Sequence, residues 1–151
     1  MLTHALLEQH CVALWDYCAQ LYQIDAIREA CLVAQNRSEL NVNLILFLCF
    51  ARTNSIDVNL ERLKNDIAVS QKQVSAHRNQ RKQQKSMLPQ NDYQLLCQHE
   101  LELERRQQSL LLLSTIEVNK AENNEDLIRA DRELERYLFE YPQLYRQLQV
   151  Y

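Results

Sequence analysis

The 151 residues include no glycine and only two prolines, Pro89 and Pro142. Ordinary usage would supply roughly ten glycines, and glycine is the residue that takes φ > 0 at least cost. Tight hairpins, phosphate-cradling loops and nucleophile elbows draw on that freedom. Without it the reading turns away from β-rich folds and from the enzyme classes built on such loops. Helices joined by asparagine-bearing turns are the architecture left. No long apolar run occurs either: the most apolar stretch, 42–51, is about ten residues and contains Asn43. A membrane span needs about 20, so this stretch reads as a buried core helix. The first residues carry no basic region followed by a long apolar run, so no secretory signal is expected and the chain is read as soluble and cytoplasmic.

What is present is ordinary globular composition, 46% hydrophobic and 25% charged, with a net charge of −3. That balance gives no global pull toward nucleic acid or anionic lipid. The five cysteines, Cys11, Cys18, Cys31, Cys49 and Cys97, sit singly within apolar helical patterns. They read as small buried hydrophobes, with neither disulfide nor metal spacing. His4, Glu8 and Cys11 share one helix face, and His99 stands next to Glu100 rather than three residues after a glutamate as the di-iron pattern wants. No H-E-x-x-H, Walker loop or G-x-S-x-G is present. No catalytic residue, metal or cofactor is assigned.

Periodicity sets the elements. Over 6–22, Leu7, Cys11, Leu14, Cys18 and Leu21 or Tyr22 form one stripe. Asp25 is expected to cap a second helix through 35, with Ile27, Cys31 and Ala34 facing inward. A third helix, about 40–52, is apolar on nearly every side and is expected at the centre. After a turn at 53–55, Asp57 is expected to cap a fourth helix carrying Leu60, Leu63, Ile67 and Val74. Its continuation over 75–86 is almost wholly polar and reads either as helix in solvent or as a mobile connection. Pro89 marks a break, with Asp92 as the next cap. A fifth helix follows over 93–119, with Leu96, Leu103 and Leu110 at intervals of seven. Asn123 and Asn124 end it. A last helix from about 125 carries Tyr137, Tyr141, Leu144, Leu148 and Tyr151, broken or kinked by Pro142 near Glu140. The fold class is all-α: a single domain over 1–151, a bundle of five to six helices, with 120–151 open as an appended C-terminal helix.

The residues Leu14-Trp15, Tyr22, Ala30-Cys31-Leu32, Gln35 and Val42-Asn43-Leu44-Ile45-Leu46-Phe47 resemble the pattern of a family of small bacterial proteins of unknown function. Farther on, Arg78, Arg81 and Lys85 resemble its basic element, and Glu100-Leu101 with Glu104-Arg105 a later acidic one. The resemblance spans roughly 10–115. The family's tryptophan ahead of the basic element is replaced here by Val69-Ser-Gln-Lys-Gln. The resemblance implies an all-helical fold and brings no activity with it.

Three groups of residues are candidates for binding. Arg78, Arg81, Lys82 and Lys85 form one basic helix face; over 57–91 seven Lys or Arg stand against three acids, and over 92–151 seven stand against twelve. Such a face docks a protein partner or the phosphates of RNA, or it pairs internally with the acidic helix around Glu100 to Glu104. No aromatic residues are interleaved to stack on bases. Tyr137, Tyr141, Leu144, Tyr145 and Leu148 form a stripe suited either to a partner surface or to closing the bundle. Trp15, Tyr22 and Asn43 are candidates for lining a small pocket, against the alternative that they wedge helices together. The resulting expectation is a non-enzymatic interaction or adaptor protein with a protein partner. RNA or ribonucleoprotein binding stands as its alternative, a metal- or small-molecule-dependent enzyme as a third class, and homo-oligomerisation is left open. A deep polar cleft near Trp15 and Asn43, or a metal retained through purification, would favour this third, enzymatic class.

Overall fold

A computed structural model describes residues 4–120 and 127–151. It has eight helices among these residues: α1 (His4–Tyr22), α2 (Asp25–Ser38), α3 (Val42–Thr53), α4 (Leu60–Asp66), α5 (Ala68–Gln84), α6 (Gln90–Lys120), α7 (Ala130–Tyr137) and α8 (Pro142–Leu148). Two short strands, β1 (Asp57–Val58) and β2 (Ile128–Arg129), pair antiparallel, Asp57 opposite Arg129 and Val58 opposite Ile128. The all-α expectation holds, but the count of five to six helices is too low. The expected fourth helix is two, because the chain turns at Ile67, and the expected last helix is two, divided ahead of Pro142.

The central helix is α3. Every residue from Asn43 to Ala51 is buried, and a fully buried Leu, Ile or Phe contributes about 1.5–3 kcal/mol. Its neighbours bury the stripes their periodicity required: Cys11, Leu14, Cys18 and Leu21 from α1, Ile27, Cys31 and Ala34 from α2, and Leu60, Leu63, Ile67 and Val74 from α4, α5 and the turn between them. The C-terminal segment packs on the same core through Leu134, Leu138, Leu144 and Leu148. The 75–86 segment is not a loose connection. It remains helix through Gln84 and lies along α6, held there by ion pairs.

Several helix ends differ from the expectation, for local reasons. Asp25 is the first residue of α2 rather than its cap, and its carboxylate accepts from Arg28 at 2.7 Å. Asp57 is drawn into the strand pairing, and Asn59 caps α4 by accepting from Arg62 N. Asp92 lies in the first turn of α6, which starts directly behind Pro89. The Asn123–Asn124 stop lies outside the described residues. Among the described residues left-handed backbone occurs at Glu39 and Ser55, both at φ 54°, and not at an asparagine. At Glu39 this turn closes α2, the Glu39 amide donating to the Gln35 carbonyl and the Leu40 amide to that of Ala34. In α6 the leucines at intervals of seven are not the core stripe. Leu110 is 40% exposed, whereas Gln107 is 1% exposed and Leu111 fully buried.

Candidate functional site

The basic face of α5 meets the acidic face of α6. Arg81 Nε donates to Glu100 Oε1 at 2.8 Å and its NH2 to Oε2 at 3.2 Å, a two-pronged contact, while its NH1 donates to the Tyr93 hydroxyl at 2.9 Å. Arg78 donates to Glu104 at 3.3 Å and approaches Glu100 at 4.0 Å. His77 Nδ1 completes the ring of groups on Glu100 at 3.4 Å; its ring packs on that of His99, and its Nε2 is buried without a partner. Bidentate Arg–carboxylate contacts of this kind are the stronger class of ion pair.

The two glutamates, one turn apart on α6, are driven in opposite directions. Burial pushes the Glu100 carboxyl up, but hydrogen bonding to Arg81, that guanidinium's charge and the contacts from His77 and Arg78 outweigh it, so its pKa lies below the ordinary value. Burial dominates at Glu104, helped by the negative charge of Glu100, and Arg78 does not fully offset it, so its pKa is raised. The hydrogen bond to Glu100 in turn raises that of Arg81. Of the four basic candidates, Arg78 and Arg81 are thus turned onto α6. Lys82 and Lys85 hold no carboxylate partner among the described residues, Lys85 lying 6.0 Å from the centre of the Tyr93 ring.

Beside this cluster lies a net of side-chain amides. Asn41 Oδ1 accepts from Leu44 N and caps α3, while its Nδ2 donates to Gln71 Oε1 and to Gln107 Oε1. Asn43 Nδ2 also donates to Gln107 Oε1, at 2.9 Å, and Gln108 Nε2 donates to Asn43 Oδ1 at 3.0 Å. Gln107 Nε2 closes the net on Ser70 Oγ and Gln71 Oε1. Asn43 therefore finds the partners a buried amide needs, and both lie on α6. The sequence signal for this net was available: Gln107, Leu111 and Ser114 step by four and three along one face, which puts a glutamine where the stripe calls for an apolar residue.

The ion cluster and the amide net share a cleft of about 320 Å³. One wall is α1, through Trp15, Cys18, Ala19 and Tyr22, with Leu32 and Gln35 of α2 beside it. The start of α3 supplies Asn41, Val42, Asn43 and Leu46; α5 supplies Gln71, Arg78, Arg81 and Lys82. The other side is α6, through Glu100, Leu101, Glu104, Arg105, Gln107 and Gln108. The Trp15 indole donates to the Arg105 carbonyl at 3.2 Å, and the Arg105 guanidinium lies 5.7 Å from the centre of its ring. The structure thus brings Trp15, Tyr22 and Asn43 together, and with them three of the four basic candidates. Cys18, Cys31 and Cys49 are each pushed up to about 12 by burial, so their thiols stay protonated at neutral pH. Burial also raises the pKa of Tyr22.

The C-terminal stripe lies elsewhere. Leu144 and Leu148 are buried, and the three tyrosines pack against the core. The Tyr137 hydroxyl accepts from Asn41 N at 2.8 Å, that of Tyr141 bonds Ser38 Oγ, and that of Tyr145 donates to Asp131 at 3.0 Å. Burial, with the neighbouring Asp131 carboxylate, pushes Tyr145 up to about 12. The stripe closes the bundle, with its polar tips satisfied inside the chain.

Among the described residues no group of three or more His, Cys, Asp or Glu could hold a metal ion, and no helix is long and apolar enough to cross a membrane. The His4 side chain, part of the face shared with Glu8 and Cys11, lies outside the described residues. Neither a curated protein nor a solved structure matches the chain. The sequence pattern of a family described as proteins of unknown function (DUF2390) matches residues 13–111, a stretch holding α2 to α5 whole and most of α1 and α6. That is well over half of the chain, from just ahead of Trp15 to just past Gln108, and the chain belongs to this family of unknown function.

Proposed function

We propose that this chain is a non-enzymatic binding protein and that the cleft over Trp15 is its recognition site for a small molecule. The observation that carries the reading is the convergence, in one concavity of about 320 Å³, of an indole wall, a floor of buried amides and a charged rim. Small-molecule sites are concavities of roughly 300–1,000 Å³ with apolar walls and a few fixed polar groups. The amides are held by one another, so their orientation is set before a ligand arrives, which lowers the ordering cost of binding. Cys18, the thiol of the cleft, is pushed up to about 12, and this supports binding without covalent chemistry.

The docking surfaces expected from the sequence find less support. Arg78 and Arg81 are engaged by Glu100 and Glu104, and the three tyrosine hydroxyls are bonded within the chain. A partner or RNA that used the basic face would meet Lys82 and Lys85 first. Its affinity would then fall only shallowly with salt, because the slope follows the number of phosphates neutralised.

The test is equilibrium dialysis of the purified chain against a small-molecule cell extract, beside an Ala19→Trp variant. Ala19 is exposed at the cleft wall, so a bulky side chain fills the space without entering the core. The expected result is a compound retained by the native chain and released by the variant. Equal retention by both, or none by either, contradicts the reading.

A further inference from the structure

We propose that the occupant of this cleft is an amphipathic anion, a carboxylate or phosphate head on an apolar body. The inference rests on the cleft being the recognition site and adds the chemistry of what enters it. Four cations and two carboxylates line the space, an excess of two positive charges. Arg78 and Arg81 are matched by Glu100 and Glu104. The excess therefore resides on Lys82 and Arg105, which have no carboxylate partner among the described residues and lie at the exposed rim. The first turn of α3, capped by Asn41, opens on the same space, and the positive end of the helix dipole adds to the potential there.

The neutral part of the lining is equally directional. Trp15 and Leu46 offer apolar surface, and Arg105 lies over the indole face. In the floor, Gln108 Nε2 is spent on Asn43, whereas its Oε1 has no partner among the described residues although the side chain is only 8% exposed. That acceptor suits a donor on the ligand body, such as a hydroxyl or an amide N–H. A cationic ligand would have to displace Arg78 or Arg81 from the glutamates to find an anion, and those contacts are the closest ion pairs of the cluster.

Trp15 is the sole tryptophan of the chain, so its emission reports directly on the cleft. The experiment titrates the full chain with phenylbutanoate, phenylbutyl phosphate, phenylbutanamide and phenylbutylammonium, following Trp15 fluorescence and the melting temperature. The two anions are expected to bind at least about ten-fold tighter than the ammonium, with the amide between them. Comparing the two anions distinguishes a carboxylate source from a phosphate source. In the double variant Lys82→Gln/Arg105→Gln the preference should collapse to within about two-fold, with at most a small drop in melting temperature from the lost contact of Arg105 over the Trp15 ring. An amide or ammonium that binds as tightly as the anions overturns the proposal, as does a double variant that keeps the preference. No binding by either anion, with a neutral compound retained in dialysis, overturns it while leaving the cleft reading standing. Loss of both results removes the two together.

Discussion

Gln107 carries more of this fold than its residue type suggests. It is 1% exposed and touches Asn41, Asn43, Ser70 and Gln71, so it ties α3 to α5 and α6 through hydrogen bonds alone. Replacing it with leucine keeps the volume but leaves several buried donors and acceptors without partners. At about 1–3 kcal/mol for each stranded group, Gln107→Leu should lower unfolding stability by at least about 2 kcal/mol in urea titration. A neutral result would show that the net is not structural. The left-handed turn at Glu39 makes the opposite case. A non-glycine residue there costs roughly 1–2 kcal/mol, part of which glycine returns through its looser unfolded chain. Glu39→Gly should therefore raise stability by about 0.5–1 kcal/mol, measured in the same titration. A chain without glycine places two such turns on Glu39 and Ser55.

Helices were legible wherever burial and periodicity agreed. The stripes of α1 and α2 and the all-round apolar character of α3 follow from spacing alone, because each faces a single apolar environment. Spacing is less informative where one helix face meets two environments. In α6 leucines recur at intervals of seven, yet the helix rolls so that Gln107 and Gln108 face the amide net and Leu110 faces water. Nothing in the spacing of one helix reveals the polar surface of another, so Asn41 and Gln71 could not be paired with Gln107 from sequence. The internal match of Arg78 and Arg81 with the α6 glutamates is one of two readings the sequence leaves open, the other being an open docking face. The charge asymmetry between 57–91 and 92–151 is the signal for the internal match.

The α5–α6 pairing has a pH signature with two opposite arms. Glu100 has a lowered pKa in the folded state, so its contribution is present above the ordinary glutamate range and is lost as pH falls through the folded value. Glu104 has a raised one, so folding binds its proton more tightly; its contribution is present at low pH and is lost as pH rises through the folded value. Measured against Glu104→Gln, the native chain should gain stability as pH falls from neutral into the mildly acidic range. Measured against Glu100→Gln, it should lose stability as pH falls below the ordinary glutamate range. Urea midpoints across pH for the three proteins check both slopes, and parallel curves would remove the assignment.

At the scale of the whole molecule, the C-terminal segment is a cover for α3. The β1–β2 pairing clips it in place, and four of its leucines, Leu134, Leu138, Leu144 and Leu148, are at most 3% exposed. Each such leucine is worth about 2–5 kcal/mol, against a total stability of about 5–15 kcal/mol. A chain ending at residue 127 should therefore lose cooperative thermal unfolding and aggregate; a sharp melt from a soluble monomer would show that the cover is dispensable. The same packing buries Leu144 and Leu148 of the stripe and sets Tyr137, Tyr141 and Tyr145 partly against the core, with Tyr151 exposed.

Binding of a small molecule at the cleft over Trp15 is tested most directly by the side-chain N–H spectrum. In a proton–nitrogen correlation spectrum, the Trp15 indole and the amides of Asn43, Gln107 and Gln108 give separate signals. Adding the compound retained in dialysis should shift these four together and leave the Asn54 amide, bonded to the Phe50 carbonyl at the end of α3, in place. Shifts gathered around Asn54 or the C-terminal helices, with the Trp15 and Gln108 signals unmoved, would contradict it.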